Sequence, residues 1–364
     1  GVMVRLLQLL HRMVGLAACL PAVCVAATIQ AISGNHQFLA GLEIPARITT
    51  WAPVVVQVRE DDGRPLADHP VSFTLESPDG KVAFPAGTSF TRRTDGLGRA
   101  TLTGIETSGA SGFFNVTADA GPSAPGRAYF LMSQYGHVTC SLGGGRGDTR
   151  TTLGAERAIL TAGERSRLVA SVTDPSTGAS VGFGDIALTA SDRILAVGAL
   201  DPLARVVFDL PLPSGAHVIT ARVIEGCSYR TSVSVPVVQL VTSGQQPAGE
   251  HTDMWWNPAE SGWGMSIIQH PSRKLFVVWY HYRDDGTPDW LAIPDGVWTS
   301  PARFTGPLYR TSGPPTGGPF DPSRVTFLPA GVAELGFEGT DRATFTWSLS
   351  DGRQGRKSIS RQPF

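Results

Sequence analysis

The fold class is decided by one stretch of sequence, Val54-Val55-Val56-Gln57-Val58-Arg59, with the turn Asp61-Asp62-Gly63-Arg64-Pro65 and the run Val71-Ser72-Phe73-Thr74-Leu75 behind it. In both runs an apolar side chain recurs at every second position, which is typical of a strand with one buried face. Asp, Gly and Pro between two such runs indicate a tight turn. The stretch therefore predicts paired antiparallel strands and, with them, an all-β protein.

The composition agrees with this pattern along the whole chain. The 364 residues include 42 Gly and 27 Pro, which supply turns between short strands. Only 17% of the residues are charged and the net charge is −1. This excludes a highly charged disordered chain and gives no basic footprint for a nucleic-acid partner. At about 100–200 residues per domain, the length predicts several domains.

Two similar units are predicted, at residues 28–133 and 134–241. Gly112 in the first and Gly215 in the second are each followed, four to six residues later, by a β-branched residue, Thr and Ala. This matching register predicts an internal repeat of two β-sandwiches with short alternating strands. Residues 242–250, rich in Ser, Gly, Gln and Pro, are predicted to be a linker.

The first unit resembles the bacterial Ig-like domains of the invasin and intimin type. The resemblance rests on five segments in the right order, at 54–58, 62–65, 71–73, 94–100 (Thr-Asp-Gly-Leu-Gly-Arg-Ala) and 112–118 (Gly-Phe-Phe-Asn-Val-Thr-Ala). It covers about 100 residues, and the second unit is a more divergent copy. The resemblance implies Ig-like sandwiches that act as spacers or adhesive modules on a bacterial surface.

Residues 1–27 have the features of a secretory signal peptide. Arg5 and Arg12 precede an uncharged run that ends in small residues at Ala27, and this order of regions is typical of a cleaved signal. Lipoprotein anchoring at Cys19 is an alternative. After removal of the signal no stretch is long enough to span a membrane, so we expect a secreted, periplasmic or outer-surface protein.

Cys140 and Cys227 are the cysteines that remain once Cys19 and Cys24 leave with the signal. Disulfides persist in exported proteins because those compartments are oxidising. We predict that the two residues pair. On the chain-entropy model such a long loop would stabilise the fold by roughly 4–5 kcal/mol. Two unpaired buried thiols are the alternative.

The C-terminal residues 251–364 differ in kind, because they hold seven of the eight Trp. Alternation and tight turns predict an antiparallel meander that closes into a small barrel or remains an open sheet or sandwich. The predicted strands are 264–269, 275–282, 290–293, 297–303, 304–309, 325–328, 333–337, 343–349 and 357–361. On 275–282, Phe276, Tyr280 and Tyr282 share the face opposite Trp279.

The sharpest motif is Trp255-Trp256-Asn257-Pro258-Ala259-Glu260-Ser261-Gly262-Trp263-Gly264. With the remainder of 251–364 it resembles an uncharacterised C-terminal domain of secreted proteobacterial proteins, which implies export and β-structure but no chemistry. Exposed indoles beside polar groups can stack on a sugar or grip an apolar ligand; core packing is the alternative. The candidate ligand-binding residues are Trp255, Trp256, Asn257, Glu260, Trp263, Tyr280 and Trp290.

No catalytic, metal-binding or cofactor-binding constellation is recognisable, and we expect neither an enzyme nor a cofactor. The Ser261 segment lacks the first Gly of a nucleophile elbow, and the histidines lack metal-ligand spacing. The preferred hypothesis is an exported binding or adhesion protein whose Ig-like spacers present the C-terminal domain to a glycan or protein ligand. The alternatives are a carrier of a small apolar ligand inside a barrel and a purely structural envelope protein.

Overall fold

The computed structural model describes residues 27–40, 49–109, 111–135, 147–182, 184–224 and 228–364. The predicted signal segment before Ala27, with Cys19, lies outside the described residues. Cys140 and Cys227 also lie outside them, and their pairing stays a prediction.

The described residues form an all-β structure, as the alternation predicts. The strands of the first unit are β1 (Ala27–Ser33), β2 (Phe38–Ala40), β3 (Thr49–Thr50), β4 (Val54–Glu60), β5 (Pro70–Glu76), β6 (Val82–Ala83), β7 (Ser89–Arg93), β8 (Arg99–Leu102), β9 (Glu106–Gly109), β10 (Gly112–Asp119) and β11 (Arg127–Tyr135). Those of the second are β12 (Arg150–Ala155), β13 (Ile159–Thr161), β14 (Arg165–Thr173), β15 (Asp185–Ala190), β16 (Arg193–Ala199), β17 (Arg205–Pro211), β18 (Gly215–Val223) and β19 (Val237–Thr242). Those of the third are β20 (Asp253–Trp256), β21 (Gly264–Gln269), β22 (Leu275–Tyr282), β23 (Pro288–Ile293), β24 (Val297–Ser300), β25 (Arg303–Ser312), β26 (Thr326–Glu338), β27 (Arg342–Leu349) and β28 (Gln354–Arg361).

A 3-10 turn at Pro322–Arg324 is the helical element of the described residues. Among these residues, no helix has the length and apolar character needed to cross a membrane.

The first unit is a two-sheet sandwich of the Ig-like kind. A sheet of order β1-β4-β8 faces a sheet of order β2-β11-β10-β5-β7, in which β2 runs parallel to β11. Val54, Val56 and Val58 are fully buried between them. Phe73 of β5 is buried from the opposite sheet. The inward faces are those that the period-two pattern predicts.

The second unit repeats the strand orders of these two sheets, whereas the small additional sheet β3-β9-β6 belongs to the first unit. The sheets of the second unit have the orders β12-β14-β17 and β13-β19-β18-β15-β16, and β13 runs parallel to β19. Gly112 begins β10 and Gly215 begins β18, which occupy the same place in the two sandwiches. The internal repeat predicted from these two glycines is therefore confirmed.

The third unit is a closed barrel of eight antiparallel strands. The order β23-β22-β21-β20-β28-β27-β26-β25 closes where Ala292 of β23 pairs with Tyr309 of β25, and β24 forms a hairpin with β25 outside this ring. The open-sheet alternative is wrong. Two segments predicted as separate strands, 325–328 and 333–337, fall in or directly before the continuous strand β26. This strand has a bulge at Ala330, because Pro329 and Gly331 pair with the consecutive residues Tyr309 and Leu308 of β25.

Aromatic and aliphatic side chains fill the interior of the barrel. Trp255, Phe304 and Phe345 are completely or almost completely buried there, and Trp279 packs edge-on against Phe345 at a centroid distance of 4.9 Å. A carrier needs an interior cavity of several hundred cubic ångströms for its ligand. Because these rings occupy the space, the described interior does not support the carrier hypothesis.

The barrel and the two sandwiches pack against one another. Val297 of the barrel shares an apolar cluster with Ala216 of the second sandwich, and Gln354 donates a hydrogen bond to the carbonyl oxygen of Ile29 in the first. Phe113 of the first sandwich lies in a cluster with side chains of the second. Both sandwiches therefore contact the barrel directly, and their role as spacers stays a prediction.

Candidate functional site: an aromatic groove on the outside of the barrel

Trp255 lies in the barrel core rather than on a binding surface. It has 0% exposure, and its Nε1 donates to the carbonyl oxygen of His251 at 3.0 Å. Its ring packs edge-on against Phe337 and lies under the Arg361 guanidinium, 5.1 Å from the ring centroid. With no free face or free donor, this indole cannot contact a ligand, and Trp255 is a wrong candidate.

Three of the other motif residues, Asn257, Glu260 and Trp263, form hydrogen bonds that fix a turn. The Asn257 side-chain oxygen accepts from the Ala259 amide at 3.0 Å, which fixes the turn. One Glu260 carboxylate oxygen accepts from Trp263 Nε1 at 3.0 Å, and the other accepts from Lys357 Nζ at 2.7 Å. Trp256 is half-buried, and its Nε1 is buried without a hydrogen-bond partner. These contacts assign Asn257, Glu260 and Trp263 a structural part.

The turn at residues 257–263 is connected to the first sandwich through Lys357, the partner of Glu260. Lys357 Nζ also donates to the carbonyl oxygen of Asp61, at 2.7 Å, in the turn between β4 and β5. Burial raises the pKa of the Asp61 carboxyl; Arg356 and Lys357 oppose this shift, and Glu260 and Asp62 add to it. Asp61 Oδ1 is buried without a hydrogen-bond partner. The ionised carboxylate is therefore a destabilising group at this contact.

We expect Asp61→Asn to raise the unfolding midpoint at pH 7. A folded-state pKa above the unfolded value means that the native state favours the protonated carboxyl. The contribution of Asp61 to the stability of the fold is therefore fully present at low pH and is lost as pH rises through the folded pKa. The gain of the neutral variant should therefore be largest at pH 7–8 and should fade toward about pH 4, close to the unperturbed carboxyl pKa. Thermal unfolding across this range measures it.

Asp62→Asn is the matched control. Hydrogen bonds from the Arg64 backbone and side chain lower the pKa of Asp62, which is the opposite shift on the adjacent residue. This variant should not gain stability at pH 7. Equal gains in both variants would contradict the assignment to Asp61.

Tyr280 and Trp290 do lie on the surface. They are directly opposite each other on β22 and β23, and each side chain is 46% exposed. The alternation of β22 explains this, because Phe276, Tyr280 and Tyr282 point outward while Trp279 points inward. The predicted candidates thus separate into a buried indole, a structural turn and this exposed cross-strand pair.

An open groove of about 490 Å³ begins at Trp290. Its walls come from β22, β23, β25, β26 and the segment between β25 and β26. It is lined by Phe276, Trp290, Ala292, Pro294, Tyr309, Thr311, Ser312, Gly313, Phe320, Val325 and Phe327. No charged side chain lines it. We call this surface the aromatic groove.

The side-chain polar groups of the aromatic groove are few, and its hydroxyls can both donate and accept hydrogen bonds. These groups are the indole N–H of Trp290 and the hydroxyls of Tyr309, Thr311 and Ser312, and the Ser312 hydroxyl is already hydrogen-bonded to Thr326 Oγ1 at 2.6 Å. Burial raises the pKa of the Tyr309 phenol, and the nearby Asp295 carboxylate adds to this, so the hydroxyl keeps its proton. The groove therefore offers broad apolar contact with a small number of orienting hydrogen bonds.

A charged cluster holds the two walls of the aromatic groove together. Asp289, next to Trp290, accepts from Arg310 of β25 and pairs with Arg283 at 3.3 Å. Although burial acts in the other direction, hydrogen bonds from the two arginines lower the pKa of Asp289. The Asp289–Arg310 ion pair links β23 to β25 near the Ala292–Tyr309 pairing that closes the barrel. It therefore helps to hold the strand that carries Trp290 in place.

Sequence reasoning missed Phe320 and Phe327 as groove residues. The sequence feature that could have indicated them is the presence of two large apolar side chains in and beside the Gly- and Pro-rich segment 313–325, where solvent-exposed residues are usually polar. Phe327 is 66% exposed. The structure offers no metal site in their place, since no three His, Cys, Asp or Glu side chains of the described residues are grouped to hold an ion.

No protein-family model and no curated protein matches this chain. Similar solved structures include invasin, described as a bacterial integrin-binding protein, at 16% identity, covering 93% of this chain and 60% of that chain with a TM-score of 0.22. The D0-D1 domain of intimin matches at 14% identity, covering 58% and 97%, with a TM-score of 0.23. Native α2-macroglobulin from Escherichia coli matches at 10% identity, covering 92% and 22%, with a TM-score of 0.25.

The chain thus spans 60% of the length of the invasin structure and 22% of that of the α2-macroglobulin. With TM-scores of 0.25 or less in these three matches, the likeness carries no argument about function. The description of the first two units as Ig-like rests on their strand order.

Proposed function

We propose that this protein is an exported binding protein of the adhesion type, which recognises an apolar segment of a protein ligand through the aromatic groove. The proposal divides the chain into a signal (1–27), two Ig-like domains (28–133 and 134–241), a linker (242–250) and a recognition domain (251–364). Export to the periplasm, cell surface or medium belongs to the same proposal.

The observation that carries the proposal is the exposure of several aromatic rings around one groove. Phe276, Trp290, Phe320 and Phe327 are all 43–66% exposed, whereas the other side of the same sheet buries its aromatics in a packed core. Exposed apolar patches of this kind mark interaction sites, and aromatic anchors dominate the binding energy of protein interfaces.

The chemistry of the groove favours a protein ligand over a neutral glycan. A sugar ring needs several hydrogen-bonding groups around its hydroxyls, and the side chains of this groove provide few: the Trp290 indole N–H and the hydroxyls of Tyr309, Thr311 and Ser312. Binding of apolar side chains requires a surface of complementary shape and a large apolar contact area, which the exposed rings supply. A segment with two or three aromatic or aliphatic side chains therefore fits best.

The proposal is tested with a displayed peptide library selected on the full chain. We expect enrichment of peptides with closely spaced aromatic and aliphatic residues. The double variant Trp290→Ser, Phe327→Ser should weaken their binding tenfold or more, because truncated anchors typically cost about 2 kcal/mol or more.

Leu203→Ser is the matched control, since Leu203 is 70% exposed on the second sandwich and far from the groove in sequence. It should leave peptide binding unchanged. Selected peptides that bind the double variant as well as the unaltered chain would overturn the proposal.

A further inference from the structure

A second concave surface lies between the outer face of the barrel and the β10–β11 turn of the first sandwich. Its volume is about 500 Å³. Its lining includes Arg303, Glu334, Gly336, Glu338, Thr346 and Arg356 of the barrel. In contrast to the aromatic groove it is rich in charged side chains and hydroxyls. We call it the polar cleft.

Gly336 leaves an open place on the floor of the polar cleft. It lies inside β26, where a side chain would point outward between those of Glu334 and Glu338. A Cβ at this position would meet nothing closer than the Thr344 carbonyl oxygen, at 3.9 Å, and the backbone is not in the left-handed region. Glycine weakens a strand interior and marks places where a ligand approaches the backbone closely.

Arg356 supplies a cation at the edge of the same floor, and its charge also acts on the Asp61 carboxylate of the first sandwich. Its side chain is half-buried, and the guanidinium makes no hydrogen bond or ion pair with any described residue. Arg303, in contrast, is engaged by Glu334 at 2.6 Å. A guanidinium has five N–H donors in a planar fork that fits a carboxylate. Thr346, its direct cross-strand neighbour, places a hydroxyl beside it.

We propose that the polar cleft binds a saccharide that carries a carboxylate. Arg356 pairs with the sugar carboxylate through two parallel hydrogen bonds. The ring lies against the backbone at Gly336, where no side chain intervenes. The hydroxyl of Thr346 and the carboxylates of Glu334 and Glu338 bind the ring hydroxyls. The site is separate from the aromatic groove and does not depend on the function proposed for it.

A saccharide fits this cleft better than an acidic peptide. β26 and β27 are interior strands whose neighbours pair with them on both sides, so an extended peptide finds no free edge to join. The cleft also lacks exposed aromatic or aliphatic pockets for peptide side chains. Its acceptors are the carboxylates of Glu334 and Glu338, which suit the vicinal hydroxyls of a sugar.

The test is calorimetric titration of the full chain with a hexuronic-acid tetrasaccharide. The methyl-esterified form of this tetrasaccharide keeps every ring hydroxyl and loses the charge. We expect the acid form to bind at least tenfold more tightly than the ester. Arg356→Gln and Gly336→Leu should each weaken binding of the acid form tenfold or more, the first by removing the cation and the second by filling the floor.

Arg342→Gln is the matched control, because it removes an equal charge from an exposed arginine on β27 that does not line the cleft. It should leave binding unchanged, and far-UV and near-UV circular dichroism should show that all variants fold. The proposal is overturned by absence of binding, by an equal effect of Arg342→Gln, or by a tetraglutamate peptide that binds as tightly as the tetrasaccharide.

Discussion

Replacing Trp255 with alanine is expected to lower the free energy of unfolding of the barrel by about 3–5 kcal/mol, the range found for large aromatic side chains in packed cores. Trp255 is fully buried and is among the largest side chains of the described core. The truncation removes the contacts with Phe337 and Arg361 and leaves the His251 carbonyl without the indole donor. Each of these losses acts in the same direction.

Denaturant unfolding of the full chain, followed by tryptophan fluorescence and near-UV circular dichroism, measures this effect. Trp290→Ala is the control, because Trp290 is 46% exposed on the outer face of the same barrel. We expect Trp290→Ala to lower the free energy of unfolding by about 1 kcal/mol or less, as is usual for surface positions. Similar losses in the two variants would contradict the assignment of Trp255 to the core and Trp290 to the surface.

The contrast between these two indoles shows where sequence reasoning succeeds. Period-two alternation fixes which residues share a face, and it predicts β21 and β22 with the bounds that the structure has. It also separates Tyr280 from Trp279. In sandwich strands such as β4 and β5 one face is apolar and the other largely polar, as at Val56 and Gln57, so the inward side is evident as well.

In the barrel the inward side cannot be read from the sequence. β22 carries aromatic residues on both faces, with Trp279 inside and Phe276 and Tyr280 outside. Hydrophobicity alone therefore does not tell which face closes over the core. The outcome depends on which strands pair, and the closing pair, Ala292 with Tyr309, joins strands whose pairing has no local sequence signal.

The contacts of the motif Trp255–Gly264 cannot be predicted from its sequence for a related reason. Its aromatic and polar composition predicts ligand binding, yet in the structure Glu260 is bound by Lys357, which lies 97 residues away in sequence. Lys357 in turn reaches the first sandwich at Asp61. Contacts between residues so far apart in sequence depend on the tertiary structure. From the sequence alone, a motif that forms a contact between two domains therefore cannot be told from one that binds a ligand.

Gly331→Ala is expected to lower the free energy of unfolding by about 2–4 kcal/mol, through overpacking and backbone strain together. Gly331 lies at the bulge where β26 pairs with both β25 and β27, at a φ of +156°. An added Cβ would lie 2.2 Å from the Ser348 carbonyl oxygen and 2.8 Å from Leu349 Cα. Because both atoms belong to the backbone, no rotamer change relieves the clash, and β26 must separate from β27.

Gly336→Ala, five residues along the same strand, is the matched control for this change. Its Cβ meets no atom closer than 3.9 Å, and alanine is more favourable than glycine in a strand interior by roughly 0.5–1 kcal/mol. The control should therefore unfold at an equal or higher denaturant concentration than the unaltered chain, and Gly331→Ala at a clearly lower one. Equal midpoints for the two variants would show that β26 and β27 are not packed as closely at Gly331 as the structure has them. Gly331 thus occupies a position where the packing of β26 against β27 leaves no room for a side chain, whereas Gly336 occupies one that is open toward the polar cleft.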